Sequence, residues 1–460
     1  MRKVPSAGLL VFLSALVVYT MSLNGVWSTD HATSFMQLDY SLWTNHTVAL
    51  GRAGNFDPQS VDDFVYNGNY YSAFAPGAAV LALPFVGLGF MLDGHFTLYG
   101  NAMLLSEFFV ALTNSIATYI LYKLASLYFN KKTSTFIAFA YAFSTISWPF
   151  ATYFFQSDVS AMLDLLAAYI VIRMARSHAG RIREAIACGA AVGAALTVDY
   201  VNAIFVPIIF LFLVYTFKKE KATVLKTSLG FLLTSSMGLL SLALYNLAAF
   251  GNMFVSSEQV YSNSSLLRDF SFPLPLGLYL NLFSPFRGLF VYCPILILGA
   301  LGFYIMVRRS GKVDEGLLLL ACFLGILIPY SMWHDAAGGV SFGPRFLVPA
   351  IPFLLLPAGF LLEQRSRGSS FFAYALYFAG VLFNGVAAVT SAIPPVEAIS
   401  NFPFLTHTLP SFLGDQLDTW WWGSTGQLWW IPASFLIIAA GSLPLVANRV
   451  FSRRESARVR

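Results

Sequence analysis

Apolar runs of about 20 residues follow one another along nearly the whole chain, and this pattern limits the fold more than any other feature. A segment of that length with hardly a charge can satisfy its own backbone as a helix while its side chains face lipid. Such runs fall near residues 7–25, 101–123, 134–150, 157–174, 183–198, 201–217, 227–249, 289–307, 315–333, 344–362, 370–391 and 428–447. Charged residues fill only 11% of the 460 positions, against about 25% in soluble domains, which leaves no room for a soluble α/β domain. The expectation is an all-α polytopic membrane protein with about 12 transmembrane helices in one domain, residues 1–460. The first run follows Arg2 and Lys3 without a small-x-small cleavage site behind it, so it reads as a retained helix rather than a signal peptide.

Charge then orients the spans, because cytoplasmic loops collect Lys and Arg. With twelve crossings, the loops holding Lys131-Lys132, Arg173–Arg183, Lys218–Lys226, Arg308–Lys312 and Arg365–Arg367 share one side with both termini. Of 27 basic residues, only Arg52, Arg268, Arg287 and Arg345 then face outward. A further apolar run, Gly77 to Leu92, would break this agreement if it crossed, so a re-entrant or interfacial helix at the outer surface is expected there. The expected placement is the cell (inner) membrane, multi-pass, with both termini cytoplasmic and the working face outside. Basic residues scattered among short loops argue against nucleic acid as a partner. Cys188, Cys293 and Cys322 fall in or beside apolar runs and form neither a disulfide framework nor a zinc pattern.

Three outer loops are long: 27–100, 250–288 and 392–427. The segment of the first from Trp27 to Pro76 carries Asp30, Asp39, Asp57, Asp62 and Asp63 against a single strong base, Arg52. Within it, Phe35, Leu38, Leu42 and Trp43 space an amphipathic helix lying on the bilayer over Ala32 to Leu50. The third loop and the residues just after it hold Trp420 to Trp422, Trp429 and Trp430, suited to an interfacial anchor. Two glycosylation sequons, Asn45-His46-Thr47 and Asn263-Ser264-Ser265, fall in outer loops.

A carboxylate just past the first span lies at head-group depth and can accept a hydroxyl proton, which makes Asp30 the first candidate base. The same residue suits a helix N-cap. Asp158, at the outer start of another run, is the second candidate, and a first-turn Asp is also favourable there on helix-dipole grounds. Asp199-Tyr200 occupies a tight outer turn, and Glu107 and Asp164 fall inside apolar runs. Arg287 in Ser284-Pro285-Phe286-Arg287-Gly288 and Arg345 in Gly343-Pro344-Arg345-Phe346 stand at outer span edges, where guanidinium groups suit a lipid phosphate or a structural ion pair. His334-Asp335 and Asp30-His31 are adjacent pairs that do not by themselves converge on one target. No HExxH or Walker-type motif is present.

Four segments resemble the GT-C superfamily of integral-membrane glycosyltransferases, most of all its protein-mannosyltransferase and aminoarabinose-transferase-like branch. They are Gly68 to Gly77 (GNYYSAFAPG), Thr152-Tyr153 with Asp158, Asn281 to Leu289 (NLFSPFRGL) and Gly338 to Pro349 (GGVSFGPRFLVP). The resemblance implies a GT-C fold and a polyprenyl-phosphate-linked sugar as donor. Asp30 and Asp158 would be the catalytic acids, with Arg287, Arg345, Tyr71 and His334 binding substrate or phosphate. It departs at Phe74, which stands where many relatives carry a Lys. The expected reaction moves a sugar to a hydroxyl acceptor on protein, lipid or glycan at the outer face. It requires no cofactor, and no metal is indicated. The rival readings are a transporter or flippase of lipid-linked saccharides, or a non-catalytic envelope glycosylation scaffold. Transporters place polar groups near mid-membrane and often show repeated halves, and neither feature is evident here.

Overall fold

The computed structural model describes residues 7–24, 29–54, 60–97, 100–177, 180–262, 266–339, 341–364, 367–391, 393, 402–414, 416–419 and 438. The run near 428–447, the tryptophans at 420–422, 429 and 430, the sequon at Asn263 and the basic tail lie outside these residues.

The chain begins with α1 (Ala7–Met21) and α2 (Asp30–Thr44), followed by β1 (Gly51–Arg52), β2 (Asp63–Tyr66) and β3 (Asn69–Ser72). Then come α3 (Gly77–Asp93), α4 (Asn101–Ala125), α5 (Lys131–Phe143), α6 (Ser147–Phe150), α7 (Gln156–Ser177) and α8 (Ile182–Val198). A 3-10 turn, Tyr200–Ile204, leads into α9 (Phe205–Phe217), α10 (Lys221–Phe250), α11 (Ser257–Ser262), α12 (Leu266–Asp269) and α13 (Leu274–Leu282). The later part holds α14 (Leu289–Tyr292), α15 (Leu296–Arg308), α16 (Val313–Met332), a 3-10 turn at Arg345–Ala350, α17 (Ile351–Leu355), α18 (Ala358–Glu363) and α19 (Arg367–Val389).

Among the described residues, six stretches are long and apolar enough to cross a membrane. They are Asn101–Ala125, Tyr200–Phe217, Lys221–Phe250, Val313–Met332, Arg345–Glu363 and Ser370–Val389. Several expected spans, one of these six among them, are interrupted, each for a local reason. The run at 134–150 stops at Phe143 and resumes as the short α6, which contains Pro149. The run at 289–307 breaks at Cys293-Pro294 between α14 and α15. The run at 344–362 opens as a 3-10 turn, then passes through Pro349, Pro352 and Pro357, whose missing N–H groups rule out one regular helix. Close helix contacts rest on small residues: a Cβ at Gly238 of α10 would overlap the Gly193 carbonyl of α8.

The segment between α1 and α3 corrects two expectations. The helix there ends at Thr44 rather than Leu50, and nine of its fifteen residues are buried, so it packs inside the protein instead of presenting one face to lipid. The loop also folds into a small antiparallel sheet of order β1-β3-β2, which periodicity alone did not reveal. The β2–β3 register pairs Asp63 with Ser72 and Phe64 with Tyr71. Its signal is Asn67-Gly68, whose φ values of +47° and +80° supply the left-handed pair that a two-residue hairpin needs. Ser34 Oγ of α2 lies 2.7 Å from Asp63 Oδ1 and 2.8 Å from Ser72 Oγ, docking the hairpin onto the helix. Gly77 to Asp93 forms a 17-residue apolar helix against α2 and α4.

Candidate active site

One cavity of about 590 Å³ collects titratable side chains from several of the connecting segments. Its wall takes His31 from the start of α2, Asp62 and Phe74 from either side of the hairpin, Asp199 from the α8–α9 turn and Glu258 from α11. Tyr330, His334, Asp335 and Arg345 close the opposite side. Residues far apart in sequence therefore face one space. Arg345 is the one Lys or Arg among the described lining residues.

Arg345 is placed by a glycine-dependent loop. Gly338, Gly339 and Gly343 have φ of +71°, +65° and +68°, a conformation other residues rarely adopt. The loop they shape turns its carbonyls toward Arg287. That buried guanidinium donates from Nε to Ala337 O at 3.1 Å, from one terminal nitrogen to Gly339 O at 2.7 Å, and from the other to Ser341 O. Burial lowers its pKa to about 10, which still leaves it charged at neutral pH. Two of the sequence segments are thus one device, in which Arg287 holds the loop that presents Arg345.

Arg345 is committed to no such partner. Its guanidinium carbon lies 5.1 Å from the Phe155 ring centre and 5.0 Å from that of Phe346. Its Nε is buried without a hydrogen bond, and among the described residues no carboxylate stands within 4.0 Å of it. Asp62, Asp335 and Asp199 act on it only through their fields. A half-buried cation flanked by aromatic faces and lacking a direct counter-ion is poised for an anionic ligand.

The other expected site residues are placed as follows. Asp30 is exposed in the first turn of α2; its Oδ1 accepts from Val61 N at 3.3 Å and its carbonyl from Ser60 Oγ at 2.8 Å. The capping role is taken by Thr29, whose hydroxyl accepts from Ala32 N at 3.0 Å. Asp158 is wholly buried away from the cavity wall, its Oδ1 accepting from Asn114 Nδ2 at 2.9 Å and its Oδ2 unpartnered. Tyr71 is buried on β3 in a cluster with Phe250, Tyr245 and Phe64 and does not line the cavity. His334 does line it, its backbone N–H donating to Asp269 O at 2.7 Å. Glu107 and Asp164 are buried in α4 and α7.

The hairpin assembles a further pair that adjacency in the sequence does not show. His31 Nδ1 lies 3.1 Å from Asp62 Oδ2, and the imidazole packs on Phe74 with ring centres 3.8 Å apart. Burial, and then the nearby Arg345, lower the His31 pKa to about 4, so the ring is neutral at pH 7. Glu258 is pushed up to about 7, mainly by burial and then by Asp269. The sequence signal for His31–Asp62 was available only through the Asn67-Gly68 hairpin that carries Asp62 back to α2. Among the described residues, no three His, Cys, Asp or Glu side chains stand close enough together to hold a metal ion.

The chain is thus a helical protein of membrane type with a cavity built from the loops that join its helices. Residues 83–247 match the family described as dolichyl-phosphate-mannose-protein mannosyltransferase. No curated protein matches the sequence. The fold is similar to that of the oligosaccharyltransferase AglB from Archaeoglobus fulgidus, in complex with an inhibitory peptide and a dolichol-phosphate. That match has a TM-score of 0.56 at 12% identity and covers 85% of this chain and 56% of the other. It is also similar to ArnT from Cupriavidus metallidurans bound to undecaprenyl phosphate, with a TM-score of 0.53 at 15% identity over 95% of this chain and 73% of that one. The chain thus spans little more than half the length of the archaeal oligosaccharyltransferase.

Proposed function

We propose that the cavity transfers a sugar from a polyprenyl-phosphate donor to a hydroxyl acceptor on protein, lipid or glycan at the outer membrane face. The observation that carries this reading is Arg345, a cavity guanidinium with a buried, unpartnered Nε and no carboxylate within ion-pair distance among the described residues. The donor's phosphate would sit on it, with the sugar in the cavity, whose volume falls in the range of small-molecule sites. His334 lies on the same wall to contact the donor. Arg287 would serve the phosphate indirectly, through the loop it holds.

The acceptor oxygen attacks the anomeric carbon, the bond from that carbon to the phosphate oxygen breaks, and polyprenyl phosphate departs with inversion. This leaving group is already an anion of low basicity and needs no general acid. The proton acceptor is drawn from the start of α2, where Asp30 stands in the first turn and His31 faces the cavity. Asp158 remains the second acid of the proposal and lies buried in the first turn of α7. Support for a polyprenyl-phosphate ligand comes from the mannosyltransferase family match and from the lipid phosphates named with ArnT and AglB. The twelve-crossing topology with cytoplasmic termini belongs to the same proposal and rests on the basic loops.

The test is turnover by purified full-length protein in lipid, offered a panel of polyprenyl-phosphate sugars. Release of polyprenyl phosphate with transfer of the sugar supports the reading. Movement of intact donor across the bilayer without release would replace it with a transporter.

A further inference from the structure

We propose that His31, oriented by Asp62, accepts the proton of the attacking hydroxyl, while Asp30 beside it is a helix-terminal carboxylate outside the reacting group. This assignment rests on the reading of the cavity as a glycosyl-transfer site and names the base within it.

Geometry separates the two neighbours. His31 lines the cavity; Asp30 does not, and its Oδ1 is engaged by the Val61 N–H at 3.3 Å. The 3.1 Å contact from His31 Nδ1 to Asp62 Oδ2 places the imidazole proton on Nδ1 and leaves the Nε2 lone pair for a proton. Among the described residues, Nε2 has no hydrogen-bond partner. The ring plane is fixed by Phe74 at 3.8 Å and Phe155 at 5.3 Å between centres. Asp62 is itself anchored, its N–H donating to Ser60 Oγ at 3.0 Å and its carbonyl accepting from Ala73 N at 3.0 Å. This is the arrangement in which a carboxylate holds an imidazole in one tautomer and stabilises the cation that forms.

The chemistry balances within the cavity. The acceptor oxygen bonds to the anomeric carbon as its proton passes to Nε2, and the bonding pair of the broken bond leaves on the phosphate. Asp62 offsets the imidazolium charge until the proton is lost to water. With its pKa near 4, His31 is as basic as an ordinary carboxylate, strong enough to take a proton that is already being acidified by bond formation. The neutral ring also leaves Arg345 as the positive charge for the donor phosphate.

The experiment uses full-length protein in lipid with dolichyl-phosphate mannose and undecaprenyl-phosphate mannose as donors and cell membranes as the acceptor source. His31→Ala is expected to lower kcat by about 10²–10⁴-fold with donor binding retained, and added imidazole to restore part of it. Asp62→Asn, a change in a positioning residue, should lower kcat less and leave KM for donor near wild type. Imidazole rescue distinguishes a missing base from a misfolded protein. Turnover of His31→Ala close to wild type, or a loss that imidazole does not touch, overturns the assignment while leaving the transfer reading intact. Failure of the wild type to release polyprenyl phosphate from either donor overturns the transfer reading and this assignment with it.

Discussion

Tyr330 donates a 2.7 Å hydrogen bond to Asp199 Oδ2 while its ring stacks on Phe346, centres 4.5 Å apart and planes 10° from parallel. One side chain on α16 therefore fixes the turn after α8 and the residue following Arg345. Asp199 Oδ1 accepts only a longer bond, from Val201 N at 3.3 Å. Burial raises the Asp199 pKa, and the Tyr330 hydroxyl works against that rise.

Tyr330→Phe keeps the stack and removes the donor. A buried acceptor left short of a partner costs about 1–3 kcal/mol. The variant should unfold at a lower temperature in detergent, and the defect should be absent from Tyr330→Phe combined with Asp199→Asn relative to Asp199→Asn alone. Equal thermal midpoints for wild type and the single variant would show that water replaces the bond.

Arg287 predicts a different asymmetry. Its planar fork reaches three carbonyls of one loop, a task that an ammonium on a flexible stem does not reproduce. Arg287→Lys should lose stability, by about 3 kcal/mol or more if two carbonyls are orphaned. It should also weaken donor binding through displacement of Arg345. Limited proteolysis across 337–343 reads the loop directly. A Lys variant as stable and as resistant as wild type would contradict this role.

Asp63 couples the hairpin to pH. Burial pushes its carboxyl up to about 7 from an ordinary value of 3.8, against the lowering effect of Ser34. A raised acid binds more protons folded than unfolded between those two values, so stability is greatest below the unfolded pKa and falls as pH rises toward 7. Above pH 7 the dependence should flatten. Glu258, also near 7, contributes in the same direction. Asp63→Asn should lessen the fall measured by thermal unfolding between pH 4.5 and about 7.5, and an unchanged slope would contradict it.

Much of the fold could be read from the sequence because lipid-length apolar runs leave few alternatives; α4, α8, α10 and α16 all fall where the runs do. What could not be read lies where short-range signals compete. Prolines at 349, 352 and 357 break a run whose hydropathy alone suggests one helix. The hairpin hid in a loop because its strands are only four residues long and only Asn67-Gly68 marks them. At the site, Arg345 and His334 were named from their outer placement and do face the cavity. Arg287 was named on the same grounds, and nothing in the sequence shows that its guanidinium would be absorbed by the 337–341 carbonyls. The His31–Asp62 contact spans 31 positions and depends on how the hairpin returns to α2, which no local pattern encodes.

The central claim is that Arg345 receives the phosphate of a polyprenyl-linked sugar donor. The most direct measurement is release of polyprenyl phosphate from dolichyl-phosphate mannose and undecaprenyl-phosphate mannose by wild type and Arg345→Gln in lipid, with donor affinity measured alongside. Loss of a charge-assisted contact of about 1.5–3 kcal/mol predicts donor binding weakened by roughly 10- to 150-fold and a matching fall in kcat/KM, with folding preserved. Wild-type turnover with unaltered donor affinity in Arg345→Gln would contradict the account and move the phosphate site elsewhere in the molecule.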